Sequence, residues 1–127
     1  MTWEGLVTHA LAKPGAWANS PWGEGDQVIK VGKKIFLFCG NSDGPGPLGV
    51  SVRCEPDYVE AWRARYPGSI GPAPYLGTRP WNRVVLDGSV ADDDLLTLVD
   101  DSYDSVVARL PKRERPDGWV RAAPIQR

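Results

Sequence analysis

The chain has 127 residues, a formal net charge of −1 at pH 7 and a pI near 5.8, which together predict one globular domain. A nonspecific nucleic-acid binder usually carries a basic excess over its whole length, and this sequence does not. No apolar run approaches the roughly 18 residues of a membrane-spanning helix. The N-terminus lacks the basic and apolar segments of a signal peptide, so we expect a cytoplasmic protein without a membrane partner.

The distribution of charges and cysteines narrows the possibilities further. Acidic residues concentrate in segment 87–104, whereas the C-terminal tail is mainly basic. Cys39 and Cys54 lack metal-ligand spacing, and a single histidine cannot complete a zinc site. We therefore expect no metal and no other cofactor, and the uneven distribution of charge allows a local basic surface. We also expect a domain over 1–111 and an extended or flexible basic tail over 112–127.

The first half of the chain predicts one helix and three strands. Apolar residues recur at helical spacing over 2–13, and Pro14-Gly15 ends the pattern. Residues 16–25 are predicted to form a loop. Alternating and β-branched residues predict a hairpin around Gly32 and one later strand, with the three strands at 27–31, 34–39 and 48–54.

The second half predicts two helices and a strand. Helix 56–65 precedes a proline-rich loop over 67–80, in which we expect at most a short strand at 75–76. Strand 81–86 and helix 90–110 follow, and Ser89 with Asp92 resembles a capping box for that helix. The order α-β-β-β-α-β(β)-α is typical of an α+β fold, in which helices pack on one face of a twisted antiparallel β-sheet.

Segment 78–86 combines arginine, asparagine and tryptophan at the entry to a strand. As a binding site, its polar residues would bond phosphate oxygens or base edges while the tryptophan stacks on a base; these residues are Arg79, Trp81, Asn82 and Arg83. As structure, Trp81 would pack on the core, Asn82 would satisfy loop backbone groups, and Arg83 would pair with the acidic last helix. The residues alone leave both interpretations open.

A second basic group surrounds the predicted hairpin. Lys30, Lys33 and Lys34 flank its turn, and Arg53 ends a neighbouring strand. Together they are predicted to form a basic strip on the sheet, which suits a phosphate backbone. The alternative is a solvated sheet edge that lysines protect from aggregation.

Aromatic residues offer a different kind of site. A pocket for a flat ligand would be lined by Trp17, Trp22, Trp62, Tyr75 and Trp81, from the 16–24 loop, the second helix and the 66–82 loop. The alternative is that these side chains hold loops against the sheet.

We expect the hydroxyl and carboxylate groups of the last helix to have structural roles and not catalytic or metal-binding ones. Ser102 and Tyr103 lie far along the chain from His9, so neither has an evident general base. Tyr103 falls on the apolar stripe, and we expect its ring in the core. The aspartates that open the helix suit its dipole and a solvated face better than a metal site. We expect no enzymatic activity.

Short motifs along the chain resemble the MmcQ/YjbR family, from about Leu6 to Lys112. The matching segments are 11–15, 31–36, 52–56, 66–68, 81–84, the aspartate-rich start of the last helix, 102–103 and 110–112. The resemblance implies a fold similar to the frataxin-like (CyaY-like) group and DNA binding with a "double wing" arrangement. Family members often carry a histidine just before the tryptophan, where this chain has Pro80.

These lines converge on a non-enzymatic DNA-binding or regulatory interaction module. It would use a basic group on the sheet and its adjoining loops: Lys33, Lys34, Arg53, Arg79, Trp81, Asn82 and Arg83. The alternative is a small-molecule binding protein with the aromatic pocket. In either case we expect a monomer or a weak homodimer.

Overall fold

A computed structural model of the protein describes residues 1–19, 27–39, 48–73 and 80–119. Within these ranges it has three α-helices, six β-strands and one 3-10 turn. The helices are α1 (Trp3–Leu11), α2 (Pro56–Arg65) and α3 (Asp92–Ala108), and the 3-10 turn is Lys112–Glu114. The strands are β1 (Ala16–Asn19), β2 (Gln27–Val31), β3 (Lys34–Cys39), β4 (Gly49–Arg53), β5 (Ile70–Pro72) and β6 (Trp81–Val85).

The strands form one antiparallel sheet in the order β1-β2-β3-β4-β6-β5. Helices cover one face: α3 packs on β3 and β4, α1 on β1, β2 and α3, and α2 on β5 and β6. Leu6, Trp62 and Val99 from the three helices are buried in the same core cluster. The α+β class predicted from the sequence is therefore confirmed.

Local signals explain where the elements begin and turn. The Thr2 side chain accepts a hydrogen bond from the Gly5 amide at 3.1 Å and caps α1, as expected of a threonine before a helix. Pro56 occupies the first turn of α2, where its missing N–H costs nothing. Gly32 has a φ of 60° in the tight turn between β2 and β3, a conformation that glycine adopts without strain.

The sheet separates between β3 and β4 at one end. Only Leu37↔Val52 and Phe38↔Ser51 pair directly, and a β-bulge interrupts the β2–β3 ladder beside this point. The Ser102 hydroxyl of α3 fills the gap: it donates to the Phe36 carbonyl at 2.5 Å and accepts from the Arg53 amide at 2.9 Å. A helix side chain thus replaces a ladder hydrogen bond, which leaves an opening in the sheet above α3.

Two short strands differ from the sequence predictions. Both β1 and β5 lie in segments predicted as loops, because strands of four and three residues have too few positions for alternation to be visible. β1 pairs with β2 and β5 pairs with β6, so tertiary pairing creates them. The strand predicted at 75–76 lies outside the described residues.

The capping box predicted for α3 is wrong. Ala91 is the N-cap residue and makes no side-chain cap bond. Ser89 instead donates its backbone amide (3.0 Å) and its hydroxyl (2.5 Å) to the Asp87 carboxylate in the preceding turn. Serine readily forms such local hydrogen bonds in turns, and Ser89 bonds to the turn instead of capping α3.

The first part of the tail folds back on the domain. Arg115 donates to the carbonyls of Ala108 and Leu110, at 2.8 and 3.0 Å, and so satisfies the end of α3. Trp119 donates its indole N–H to Asp104 at 3.0 Å. The expected extended tail therefore does not hold for 112–119, while 120–127 lie outside the described residues. No helix in the described part of the chain is long and apolar enough to cross a membrane.

Candidate nucleic-acid interface

A cleft opens at the end of the sheet where β3 and β4 separate. The β2–β3 hairpin forms one wall; the end of β4 and the starts of α2 and β6 form the other; α3 contributes from below. The described lining residues are Lys30, Lys33, Lys34, Ile35, Arg53, Pro56, Pro80, Trp81, Val106 and Arg109. The cleft has a volume of about 710 Å³, within the range of roughly 300–1,000 Å³ typical of ligand sites.

Arg53 is the best-fixed cation of the cleft. Its backbone amide is held by Ser102, and its Nε donates to the Ser105 hydroxyl at 2.8 Å. Both serines are buried on α3. The helix therefore positions the half-buried guanidinium from below, while the remaining guanidinium N–H groups have further bonding capacity.

Arg53 and Arg109 are brought together despite their like charges. Burial and, second, the Arg109 cation lower the pKa of Arg53 from its ordinary value, against a smaller opposing effect of Cys54. Arg53 stays charged, because an arginine in a protein does not lose its proton near neutral pH. The fold thus maintains a repulsion that a bound anion would relieve.

The charge of the cleft has one sign. Five of its described lining residues are Lys or Arg, and none is Asp or Glu. Two examples of ion pairs between described residues lie away from the cleft lining: Asp100 pairs with Lys13, and Asp94 pairs with Arg65. The protein has a net charge of −1, yet it segregates a concentrated positive surface, which attracts anions.

Trp81 adds an aromatic surface beside these cations. It is half-buried, lines the cleft and lies directly across from Arg53 in the β4–β6 ladder. An aromatic ring next to a guanidinium suits a ligand that has both a flat ring and a phosphate.

The position of Asn82 corrects the prediction that it reads bases. Its side chain is 0% exposed and faces the helices. Its amide donates to the Val59 carbonyl at 3.2 Å and the Cys54 sulfur at 3.4 Å, and its oxygen accepts from Arg63 Nε at 2.7 Å. Asn82 therefore joins α2 to the sheet, since Val59 and Arg63 lie in that helix and not in the loop backbone that the structural interpretation expected.

The other predicted residues of this segment separate from the cleft. Arg83 is half-buried on the sheet face that carries Trp81, and its guanidinium lies over Gly49, 2.5 Å from where a Cβ would stand. It is not among the described residues that line the cleft. Arg79 lies outside the described residues.

The aromatic pocket is not assembled from its described members. Trp62 is 1% exposed in the core under α2, on the opposite side of the sheet from Trp81. Trp17 lies on β1, with three strands between it and β6. Trp22 and Tyr75 lie outside the described residues. Among the described members, only Trp81 lines the basic cleft.

The hydroxyls of α3 are engaged in structure. Tyr103 donates to the Pro14 carbonyl at 2.6 Å, and its ring meets Phe36 edge to face with centroids 5.3 Å apart. Burial, and then the nearby Asp104 carboxylate, raise the pKa of Tyr103 above its ordinary value. The core position predicted for Tyr103 is thus what the structure has.

The sequence interpretation did not identify three residues that line or support the candidate site. Arg109 reaches the cleft because α3 ends just there, and its position depends on the docking of the whole helix. Ser105 and Arg63 were missed as partners of Arg53 and Asn82. A usable signal existed for Ser105: it is a polar residue directly before the apolar pair Val106-Val107 on a buried stripe, and such a residue needs a partner.

These observations define a small α+β domain whose antiparallel sheet opens into a cation-lined cleft. The YjbR family model matches residues 11–105, so the chain belongs to the YjbR family. It is 29% identical over 117 residues to the protein YjbR of Escherichia coli (strain K12), covering 91% of this chain and 95% of that protein.

Two solved structures have a similar fold. The crystal structure of Deinococcus radiodurans protein DR2400, a DUF419 domain, matches with a TM-score of 0.80 and 26% identity, over 93% of this chain and 91% of that one. A crystal structure of a Pseudomonas syringae protein matches with a TM-score of 0.63 and 18% identity, over 80% and 96% of the chains. At that identity the second match shows the fold alone.

Proposed function

We propose that the protein is a non-enzymatic DNA-binding module that holds the phosphate backbone in the cleft between β3 and β4. The observation that carries the proposal is the convergence of five cations on one cleft whose described lining includes no carboxylate. Lys33 and Lys34 are exposed at its rim, and Arg53 is anchored by Ser105 deeper inside. Phosphate contacts of this kind supply most of the affinity of nonspecific DNA binding.

The cleft contains an anchored arginine and flexible lysines, and this difference supports a role in positioning a phosphate backbone. Arg53 is pre-oriented by its bond to Ser105 and so loses little conformational freedom on binding, and its planar fork matches two phosphate oxygens. The hairpin lysines are flexible point charges that follow a backbone without requiring one geometry. Base recognition is not assigned to Asn82, because its amide is occupied inside the domain.

The test is the salt dependence of DNA affinity. We expect fluorescence anisotropy with a labelled oligonucleotide to give a linear fall of log K with log salt, at about −0.7 to −0.9 per phosphate neutralised. Replacing Lys33 and Lys34 together by Gln is expected to weaken binding at least tenfold and to reduce the slope by about 1.4 to 1.8.

The matched control removes two positive charges elsewhere. Arg65→Gln with Arg113→Gln changes the net charge by the same amount at exposed residues outside the cleft lining. We expect this pair to retain the affinity of the wild type within about twofold. An affinity no better than millimolar at low salt, or equal losses in the two double variants, would refute the proposal.

A further inference from the structure

A line of side chains crosses the sheet from the cleft to its far edge. The pairing register aligns Trp17 with Lys30 and Lys30 with Ile35, and, beyond the gap, Arg53 with Trp81. Directly paired residues in antiparallel strands point to the same face. The line crosses five strands and has a tryptophan at each end, a cation next to each tryptophan, and Ile35 between the two cations.

Trp17 is the least expected member of this line. Its side chain is 42% exposed on the edge strand β1, which makes it one of the few exposed large apolar side chains in the described chain. Its indole N–H donates to the Gly32 carbonyl at 2.9 Å, and Lys30 Nζ lies 5.1 Å from the ring centroid. The ring is thus held in one orientation beside a cation that also lines the cleft.

The bases of a DNA duplex cannot stack on these two tryptophan rings. Its bases are stacked and paired inside, so only its phosphates would reach a sheet surface, and the two rings would contact nothing that suits them. Single strands present unstacked bases, and proteins bind them without strong sequence preference by combining a positively charged groove with aromatic stacking platforms. The line from Trp17 to Trp81 has both components.

The spacing of the two rings sets the length of strand. Four strand-to-strand steps separate β1 from β6, a distance of roughly 20 Å at about 4.8 Å per step. A strand that reaches from one ring to the other through the cleft would occupy roughly four to eight nucleotides, at the lower end of the site sizes known for such surfaces.

We infer that the line from Trp17 to Trp81 is a binding platform for single-stranded DNA, with phosphates in the basic cleft and a base stacked on each tryptophan. The inference rests on the proposed function and names the form of DNA that the cleft takes. Trp17 receives a role in it that the cleft alone does not assign.

The experiment compares one octanucleotide as a single strand and within a duplex, at equal salt, by anisotropy. We expect the single strand to bind at least tenfold tighter. Trp17→Ala is expected to weaken single-strand binding by roughly 5- to 100-fold, the range for loss of one stacked base, and to leave duplex binding within twofold. Trp17→Phe keeps an aromatic face and is expected to restore most of the affinity.

Controls separate this inference from the proposed function. Trp3→Phe alters an indole of α1 that bonds Gln27 and lies outside the cleft lining, so it should leave both affinities unchanged. The inference is overturned if the duplex binds as tightly as the single strand or more tightly, or if Trp17→Ala does not change single-strand affinity. In either case the lysine variants can still support a DNA-binding cleft. Equal affinity for an RNA strand of the same sequence overturns the assignment to DNA. If the wild-type protein binds neither single-stranded nor duplex DNA, both proposals are overturned.

Discussion

Two polar regions of this domain differ in whether their polar and charged groups are balanced within the chain. At the junction of α2 and β6, Asn82 is completely buried and each of its polar atoms has a partner inside the chain. In the cleft, Arg53 and Arg109 lie close enough to repel each other, and no carboxylate lines the described walls. A polar group that is satisfied internally is part of the structure, whereas unbalanced charge gathered in a cleft indicates a partner from outside.

The largest expected effect tests the structural side of this contrast. Asn82→Ala removes three contacts and leaves Arg63 and the Val59 carbonyl without their buried partner. We expect the free energy of unfolding to fall by about 2–4 kcal/mol, measured by chemical denaturation. Arg83→Ala, one residue along on the other face, should cost no more than about 1 kcal/mol. Similar losses for the two variants would contradict the contrast.

The cleft should show the opposite balance of stability and binding. Arg109→Gln removes the cation that opposes Arg53 and keeps the bond from Arg53 to Ser105. We expect DNA affinity to fall by about five- to tenfold, while the free energy of unfolding stays within about 0.5 kcal/mol of the wild type or rises. A marked loss of stability would mean that Arg109 is needed for folding.

Tyr103 provides a pH-dependent measure of the buried region. Its pKa is raised in the folded protein, so its contribution is complete below the ordinary value of about 10 and is lost as the pH rises through the folded value. Tyr103→Phe is expected to cost about 1 kcal/mol at pH 7, through loss of the bond to the Pro14 carbonyl. Denaturation at several alkaline pH values should then show a shallower decline for the variant than for the wild type.

We expect Asp87 to have the smallest effect on stability. Its effect depends on pH in the opposite direction to that of Tyr103. Its pKa is lowered, first by the Ser89 hydroxyl and then by the Ser89 amide. The carboxylate therefore stabilises the turn above its ordinary pKa and loses that contribution as the pH falls through the lowered value. Asp87→Asn should flatten the acid side of the melting-temperature profile slightly. An unchanged acid side would show that the turn does not depend on the carboxylate.

Most of the fold was predictable because its longer elements carry strong periodicity. The second helix and the β2–β3 hairpin match their predicted bounds, since turn glycines and prolines define them. Strands β1 and β5 were not predictable, because three or four residues beside a longer strand are recruited by pairing rather than by their own pattern.

The site was predictable in part, for reasons that individual residues make clear. Lys33, Lys34, Arg53 and Trp81 do converge in one cleft, because a hairpin and two paired strands bring them together. The inward direction of Asn82 follows from the phase of β6, in which Val84 is buried on the same face. Arg109 depends on how α3 docks over the sheet, which no local pattern encodes.

Amide and indole chemical-shift mapping with a single-stranded octanucleotide tests the central claim most directly, because it locates the contact without a substitution. The account predicts that the largest shifts fall on the β2–β3 hairpin, Arg53, Arg109 and the indole N–H groups of Trp17 and Trp81, with the Trp3 indole unmoved. It also predicts that these shifts diminish together as salt is added. Shifts concentrated on any other surface, or none in the cleft at low salt, would contradict it.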